Sequence, residues 1–282
     1  MVKRPSEITA LQGQAGVFDP QFCRKWVHRL GPEARREGLW FQEIMLDGEQ
    51  SFHRGEGIAG ACGPVEVVCE GDQINLRRLG HSYYLLPWRV EPDLLAFKRC
   101  SARGVLVVEN WSIACRLAEL DFPGRAQLLI LCAGGVPRFN ARLFLHRLTK
   151  ELGLPVYLLT ANDPWGYFIF SVLRRGTILS HVQRAETRID EVRYLGIRAG
   201  DYELIRDRNP EVFVIGRSPE VRTRLRCMRK YTCFRGAAWQ KEFDRYEKQG
   251  GFVDLEAFTA ARGGEWLADL VQTRIDKQDW LS

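Results

Sequence analysis

VLVVE (residues 105–109), LLILCAGG (128–135) and VYLLTANDPWG (156–166) decide the fold of this chain. Each stretch begins with a short apolar run and ends in polar or glycine residues, and apolar residues at helical spacing follow it. Strands that are apolar on both faces and alternate with helices form parallel sheets with right-handed crossovers. The sequence therefore predicts an α/β fold, with a parallel sheet flanked by helices.

Two acidic residues follow these runs where the strands of such a sheet end. Glu109 comes directly after the first run, and Asp163 lies in the polar segment after the third. Ligands of parallel sheets lie outside the carboxyl ends of the strands, and carboxylate oxygens are common ligands of metal cations. We therefore predict that both residues bind a metal. The competing interpretation is structural, with Glu109 as a capping or salt-bridged carboxylate and Asp163 as the N-cap of a helix that starts at Pro164.

Changes in composition divide the chain into four segments. We predict a helical segment over 1–50, a β-rich appendage over 51–100, the α/β core over 101–200 and a helical part over 201–282. Glycines and prolines separate short alternating runs in the second segment. Smaller elements are also predicted: a short helix at 94–100, a strand within 188–197, a helix that begins at Ser218-Pro219-Glu220, and helices at about 238–248 and 264–277.

Composition is that of an ordinary globular protein. Of the 282 residues, 45% are apolar and 27% are charged. No run approaches the roughly 18 to 20 apolar residues of a transmembrane helix, and the start, MVKRPSEITALQGQ, lacks the apolar core of a signal peptide. We expect an intracellular protein, cytoplasmic or nucleoid-associated, without a membrane partner.

Cysteine and histidine patterns exclude several kinds of site. The eight cysteines form no CxxC pair, and none lies at zinc-finger spacing from a histidine, which argues against zinc. Neither the histidines nor any serine form a nucleophile constellation. The net charge of +6 is compatible with nucleic acid but is common in proteins that never bind it.

Several glycine and basic residues are candidates for DNA contact. Gly134 and Gly135 are able to cradle a phosphate at a helix N-terminus, or simply to allow a tight turn. Arg138 and Arg142 open the following helix one turn apart. Four basic residues share roughly one face of a later helix, which is either a phosphate-binding face or a solvated surface; they are Arg222, Arg226, Arg229 and Lys230.

An ordered set of motifs resembles the Toprim part of the A subunit of DNA topoisomerase VI and of its relative, the meiotic double-strand-break transesterase. The resemblance extends from about residue 55 to residue 275. The motifs are VVE (107–109), GGVP (134–137) with Ala141-Arg142, LPVY (154–157), NDPWG (162–166), YLG (194–196), and Trp239, Glu242 and GFVDLEAF (251–258). No single motif is very specific, but their order and spacing together are.

The resemblance implies a Toprim-type, Rossmann-like fold and an Mg²⁺ site. In this family a glutamate after one strand and an Asp-x-Asp pair after a later strand hold the metal. By position, Glu109 matches the glutamate and Asp163 the second aspartate. Ala161 takes the place of the first aspartate and cannot bind metal, while Asn162 offers only a neutral carbonyl oxygen. We therefore expect weaker metal binding, confined to one ion.

The family also implies a nucleophile that we do not find. Its members cleave DNA with a tyrosine of a preceding winged-helix domain, and no Arg-Arg-Asp-x-Tyr-Tyr-like segment occurs here. Tyr83-Tyr84 and Tyr231 are interpreted as half-buried aromatics. The resemblance further implies a homodimer that works on DNA with an ATPase subunit plus, in this case, another polypeptide that supplies the tyrosine.

Three functional hypotheses follow. The first is a DNA-binding subunit of a type IIB topoisomerase-like assembly, which engages the DNA backbone through Mg²⁺. The second is a stand-alone Mg²⁺-dependent nuclease in which Glu109 and Asp163 activate water directly. The third is a catalytically degenerate subunit that serves as a structural or DNA-docking platform, and Ala161 favours it.

Overall fold

The computed structural model describes residues 59–176, 186–205, 213–214, 219–249 and 252–282. The predicted helical segment 1–50 and the capping role of Ser218 lie outside the described residues. Over these described ranges, every helix is too short or too polar to cross a membrane.

A six-stranded sheet forms the centre of the molecule. The strands of the described chain are β1 Gly60–Cys62, β2 Val65–Cys69, β3 Asp72–Asn75, β4 Tyr84–Leu85, β5 Leu95–Cys100, β6 Gly104–Val108, β7 Leu128–Cys132, β8 Val156–Leu159, β9 Val192–Tyr194, β10 Phe213–Val214 and β11 Phe252–Val253. The central order is β4-β1-β7-β6-β8-β9. Strands β6 to β9 are parallel, whereas β1 and β4 add an antiparallel edge. The predicted α/β fold is confirmed.

Helices cover both faces of this sheet. They are α1 Trp111–Glu119, α2 Phe122–Arg125, α3 Phe139–Leu152, α4 Pro164–Arg175, α5 Pro219–Met228, α6 Ala237–Gln249, α7 Leu255–Arg262 and α8 Gly264–Asp276. Successive residues of a strand point to opposite faces, so Val105 and Val107 belong to one core cluster and Leu106 and Val108 to another. The first cluster includes α3, α4 and α6, and the second includes α1, α7 and α8.

The predicted helix at 94–100 is wrong, because this segment is strand β5. It pairs antiparallel with β2, which also pairs with β3, and the three strands make a second small sheet. The predicted β-rich appendage therefore divides between two sheets, since β1 and β4 extend the central one. Pairing with β2 is a long-range interaction that the local apolar spacing of 94–100 does not reveal.

The C-terminal helices agree with the sequence. Helices α6 and α8 lie within one residue of the predicted ranges. Arg274 of helix α8 is buried and contacts the segment after β9. Its guanidinium donates to both carboxylate oxygens of Asp201, each at 2.6 Å. The same guanidinium donates to the carbonyls of Leu195 and Gly196, at 2.8 and 3.0 Å. These contacts hold the segment after β9 against α8.

Replacing Arg274 by alanine should destabilise the protein strongly. The change would leave the Asp201 carboxylate buried without its cation, so we expect a loss of about 3 kcal/mol or more in the free energy of unfolding. Denaturant unfolding measures this loss. The control is Arg89→Ala. Arg89 is exposed and pairs with the exposed Asp93 and the partly buried Glu91, and pairs of an exposed arginine contribute at most about 1 kcal/mol. Equal losses in the two variants would contradict the structural role of Arg274.

Candidate metal site at the carboxyl edge of the sheet

Glu109 lies at the carboxyl edge of the central sheet, directly after β6. Its backbone N–H donates to the carbonyl of Leu159 at 3.2 Å, and its carbonyl accepts from the N–H of Gly135 at 2.9 Å. The side-chain Oε2 accepts from the N–H of Ala161, at 3.4 Å. Glu109 is therefore held between the loop after β8 and the loop after β7.

Asp163 is the N-cap of α4. Its backbone is extended, with φ −141° and ψ 170°, and its Oδ1 accepts from the N–H of Gly166 at 2.6 Å. Pro164 occupies the first turn, as predicted. The capping interpretation of Asp163 is confirmed. It does not exclude metal binding, because a carboxylate has about four lone-pair sites over its two oxygens.

The carboxylates of Glu109 and Asp163 lie close enough for the charge of one to affect the other. Desolvation, together with a smaller contribution from the charge of Asp163, raises the pKa of Glu109 to about 7. Desolvation also raises the pKa of Asp163, against the lowering effect of its hydrogen bond from Gly166. Partly buried acids of like charge are costly to ionise without a cation. Such a pair is a candidate functional site on physical grounds.

A third acid, Asp254, belongs to the same edge and was not predicted from the sequence. It is the N-cap of α7, where its Oδ1 accepts from the N–H of Glu256 at 2.9 Å. Its charge raises the pKa of both Glu109 and Asp163. Asp254 lies within the motif GFVDLEAF (251–258) and precedes a helical pattern, and the latter indicates only a cap.

Glu256 connects α7 to the beginning of α1. Its Oε1 accepts from Asn110 Nδ2 at 2.8 Å and from Ser112 Oγ at 2.5 Å. Asn110 in turn caps α1 through Ser112. These bonds bring the start of α7, and with it Asp254, to the edge where β6 ends.

The donor set fits one Mg²⁺ ion with few protein ligands. In the part of the chain that the structure describes, no cluster of three or more His, Cys, Asp or Glu side chains is arranged to hold a metal. Mg²⁺ commonly binds one or two carboxylates and keeps several waters, and the carboxylates of Glu109 and Asp163 match that number. The neutral oxygen of Asn162 does not join them, because Asn162 is fully buried and its Oδ1 accepts from the hydroxyl of Tyr167 at 3.0 Å.

Gly134 and Gly135 form a turn that serves Glu109. Their φ angles are +61° and +118°, a region that favours glycine. The N–H of Gly135 already donates to Glu109, so this amide is not available to a phosphate. A Cβ on Gly134 would lie 2.8 Å from Nε1 of Trp111. The tight-turn interpretation therefore accounts for both glycines.

The two arginines predicted at the start of α3 have different environments. Arg138 is the N-cap residue of this helix and is partly exposed. Arg142 is completely buried. The predicted contact of Arg142 with DNA is therefore wrong for this structure, because its guanidinium does not reach the surface.

Helix α5 carries only part of the predicted basic face, because it ends at Met228 and both Arg229 and Lys230 follow it. Arg222, Arg226 and Lys230 are exposed. Arg229 instead donates to Asp244 at 2.6 Å and lies 3.4 Å from Glu247, so its charge is compensated within the protein. Its place in a DNA-binding face stays a prediction.

Arg224 of α5 interacts with the acidic edge, and it was not predicted from the sequence. Its guanidinium carbon lies 4.1 Å from the centre of the Trp165 ring. Trp165 is 42% exposed and directly follows Asp163-Pro164. The charge of Arg224 lowers the pKa of Asp163. Arg224 thus favours the ionised form of this carboxylate.

The tyrosines considered as nucleophiles have environments that disfavour the phenolate. Tyr83 donates to the carbonyl of Ala114 at 2.6 Å, and burial raises its pKa. Burial also raises the pKa of Tyr84. Tyr231 is completely buried. These contacts support the interpretation of the three residues as packed aromatics.

Comparison with known proteins confirms the resemblance found in the motifs. Residues 104–271, more than half of the chain, match the Toprim domain of the family described as topoisomerase 6 A subunit/Spo11. The A subunit of type 2 DNA topoisomerase 6 from Hyperthermus butylicus is 29% identical over 227 residues, which cover 78% of this chain and 58% of that protein. The protein of the same name from Saccharolobus shibatae is 28% identical over 228 residues, with the same coverage of 78% and 58%.

A eukaryotic relative gives a similar picture. The A3 subunit of DNA topoisomerase 6 from Oryza sativa subsp. indica is 27% identical over 221 residues, which cover 78% of this chain and 49% of that protein. The chain thus spans between 49% and 58% of the length of these relatives.

Without metal, Glu109→Gln should stabilise the protein at pH 8 and have little effect near pH 4.5. The folded-state pKa of Glu109 is raised from 4.5 to about 7, so the folded chain binds this proton more tightly than the unfolded chain. The stabilisation of the folded state that protonated Glu109 provides is therefore lost as the pH rises from 4.5 to about 7. We expect a gain of up to about 3 kcal/mol at pH 8, measured by denaturant unfolding in a chelator.

The matched control for this prediction is Glu119→Gln. Glu119 is exposed and pairs with Arg116 at the surface, so its replacement should give no comparable gain at pH 8. A flat difference between wild type and Glu109→Gln across this pH range would show that Glu109 is not held in the desolvated, like-charged environment described above.

Proposed function

The chain belongs to the topoisomerase 6 A subunit/Spo11 family through its Toprim domain, and from this premise we propose how its acidic edge acts. Glu109 and Asp163 together hold one Mg²⁺ ion, through which the protein engages the DNA backbone. The protein acts in DNA cleavage or topology change within a type IIB topoisomerase-like assembly. The observation that carries the proposal is the pair of desolvated carboxylates at the carboxyl edge of β6 and β8, whose mutual repulsion a cation would relieve.

Each residue of the edge has a defined part in this proposal. Glu109 and Asp163 supply the two carboxylates, and Arg224 helps to keep Asp163 ionised. Bound Mg²⁺ supplies stabilisation of the charge that develops on a phosphate and on its leaving oxygen. Basic side chains that reach the surface, Arg138 among them, are placed to meet neighbouring phosphates. Ala161 leaves the site with one carboxylate fewer than the family pattern, so we propose weak, single-ion binding.

The proposed assembly includes other polypeptides. All eight tyrosines of the chain lie in its described part, and none lies in an Arg-Arg-Asp-x-Tyr-Tyr-like segment. We propose that a partner provides the attacking tyrosine and that the complex contains two copies of this chain together with an ATPase subunit. The relatives named above are themselves called subunits of a topoisomerase, which supports a multi-subunit assembly.

The second candidate is a DNA-docking subunit without catalytic function. Two observations favour it: Ala161 stands where the family has an aspartate, and the described residues contain no group of three metal-ligating side chains. A stand-alone nuclease is the third. It would nick plasmid DNA without forming a covalent protein–DNA adduct, and Glu109→Gln would abolish the nicking.

The central test measures Mg²⁺ binding through thermal unfolding. Mg²⁺ at about 100 times its dissociation constant should stabilise the wild type by about 2.7 kcal/mol, and Glu109→Gln should remove this stabilisation. Asp163→Asn should also remove it while preserving the helix, because asparagine caps as well as aspartate. Glu119→Gln is the surface control and should respond like the wild type. If all four proteins respond equally, the metal proposal is wrong.

DNA affinity then separates the candidates. Mg²⁺ should strengthen binding of duplex DNA by the wild type but not by Glu109→Gln. If Mg²⁺ changes neither stability nor affinity, and Glu109→Gln binds DNA as the wild type does, the docking function is the correct one.

Restoring the missing carboxylate should strengthen the site. In Ala161→Asp a third acid would lie beside Glu109, whose Oε2 already accepts from the backbone of residue 161. We expect a dissociation constant for Mg²⁺ at least about tenfold lower, which corresponds to about 1.4 kcal/mol. Isothermal titration of both proteins measures the change, and an unchanged affinity would count against a metal site at this edge.

A further inference from the structure

A basic cleft lies on the small sheet formed by β2, β3 and β5. Its volume is about 440 Å³, within the range of ligand-binding clefts. Three arginines line it, two of them adjacent in the chain, together with one acid and several small or polar residues. The polar and charged lining residues are Glu66, Asn75, Arg77, Arg78, Arg99 and Ser101.

A turn after β3 fixes two of the arginines. Oδ1 of Asn75 accepts from the N–H of Arg77 at 3.0 Å, and the carbonyl of Asn75 accepts from the N–H of Arg78 at 3.1 Å. Such side-chain-to-backbone bonds define a turn locally. Arg99 comes from β5 and lies opposite Glu66 of β2 in the antiparallel register. A turn thus positions the backbone of Arg77 and Arg78, and strand β5 positions that of Arg99.

Charge in the cleft is not balanced by its own residues. Glu66 is the one acid among the lining residues, and its carboxylate already accepts from Gln73 and Asn75, each at 3.0 Å. Arg77 lies 3.4 Å from Asp121 at an exposed site, where such a pair contributes at most about 1 kcal/mol. Arg99 is exposed and lies 4.0 Å from the partly buried Glu66, at the outer limit of an ion pair. An anion is therefore able to compete for both arginines.

The cleft is at the opposite end of the central strands from the acidic edge. Ser101, in the cleft, precedes β6, and Glu109 follows that strand. The N–H of Ser101 donates to the carbonyl of Pro64 at 3.0 Å, which fixes this end of the cleft. Five strand residues separate the two ends, or roughly 16 Å at the rise of a parallel strand. A ligand in the cleft therefore does not touch the proposed metal.

We propose that this cleft binds phosphate groups of the DNA backbone, as a second anion site independent of Mg²⁺. Arginine pairs with phosphate through two parallel N–H···O bonds, a geometry that lysine does not provide. The hydroxyl of Ser101 and the amide of Asn75 supply neutral donors beside the charges. Because the site needs no metal, it does not depend on the function proposed for Glu109 and Asp163.

The test uses the full chain in a chelator, which removes any contribution of the acidic edge. Inorganic phosphate should raise the unfolding temperature of the wild type and leave that of Arg78→Ala and Arg99→Ala unchanged. Arg89→Ala is the matched control, because it removes an equally exposed positive charge outside the cleft, and it should respond like the wild type. Circular dichroism confirms that each variant is folded.

Duplex DNA binding at a series of salt concentrations then identifies the source of the phosphate. Each cleft variant should lower the slope of log affinity against log salt by about 1, whereas Arg89→Ala should leave the slope unchanged. A loss of the phosphate response with an unchanged slope would support an oxyanion site that takes free phosphate rather than DNA. Equal phosphate responses and equal slopes in all four proteins would overturn the proposal.

Discussion

The parallel pairing of β6 with β8 is the constraint on which the site depends. Val108 lies opposite Leu159 in this register, and the next residue, Glu109, donates its N–H to the Leu159 carbonyl. The pairing therefore places Glu109 beside the loop 160–163, although more than fifty positions separate them in the chain. Every proposal about the acidic edge requires this register, because a shift by one residue would turn the Glu109 side chain to the other face.

The loop 160–163 is held rigidly by the aromatic core beneath it. The hydroxyl of Tyr194 donates to the carbonyl of Ala161 at 3.1 Å, and the hydroxyl of Tyr167 donates to Asn162. Gly166 lets α4 approach closely, since a Cβ there would lie 2.5 Å from the Ala161 carbonyl oxygen. Asp163 is thus positioned by backbone and buried hydroxyl groups. Pre-organisation of this kind supports a binding site, and it explains why a partly buried acid persists here.

The sequence by itself determined the elements whose signals are local. Strands β6, β7 and β8 were predicted nearly to the residue because they are apolar on both faces, and the start of α4 because Asp163-Pro164 is a cap and a first helical residue. The order of the motifs along the chain indicated the family, and the comparisons confirmed it. The placement of Glu109 and Asp163 at one edge also followed from sequence, since parallel strands end at the same side.

Only the tertiary structure decided which side chains are covered and which distant residues meet. Segment 94–100 became strand β5 because β2 pairs with it. Arg142 is completely buried, which the sequence of its own helix did not indicate. Asp254 and Arg224 lie near Asp163 although they belong to separate C-terminal helices. Spacing along a chain encodes periodicity and caps, whereas burial and electrostatic neighbours depend on packing between elements far apart in sequence, and no local pattern records that packing.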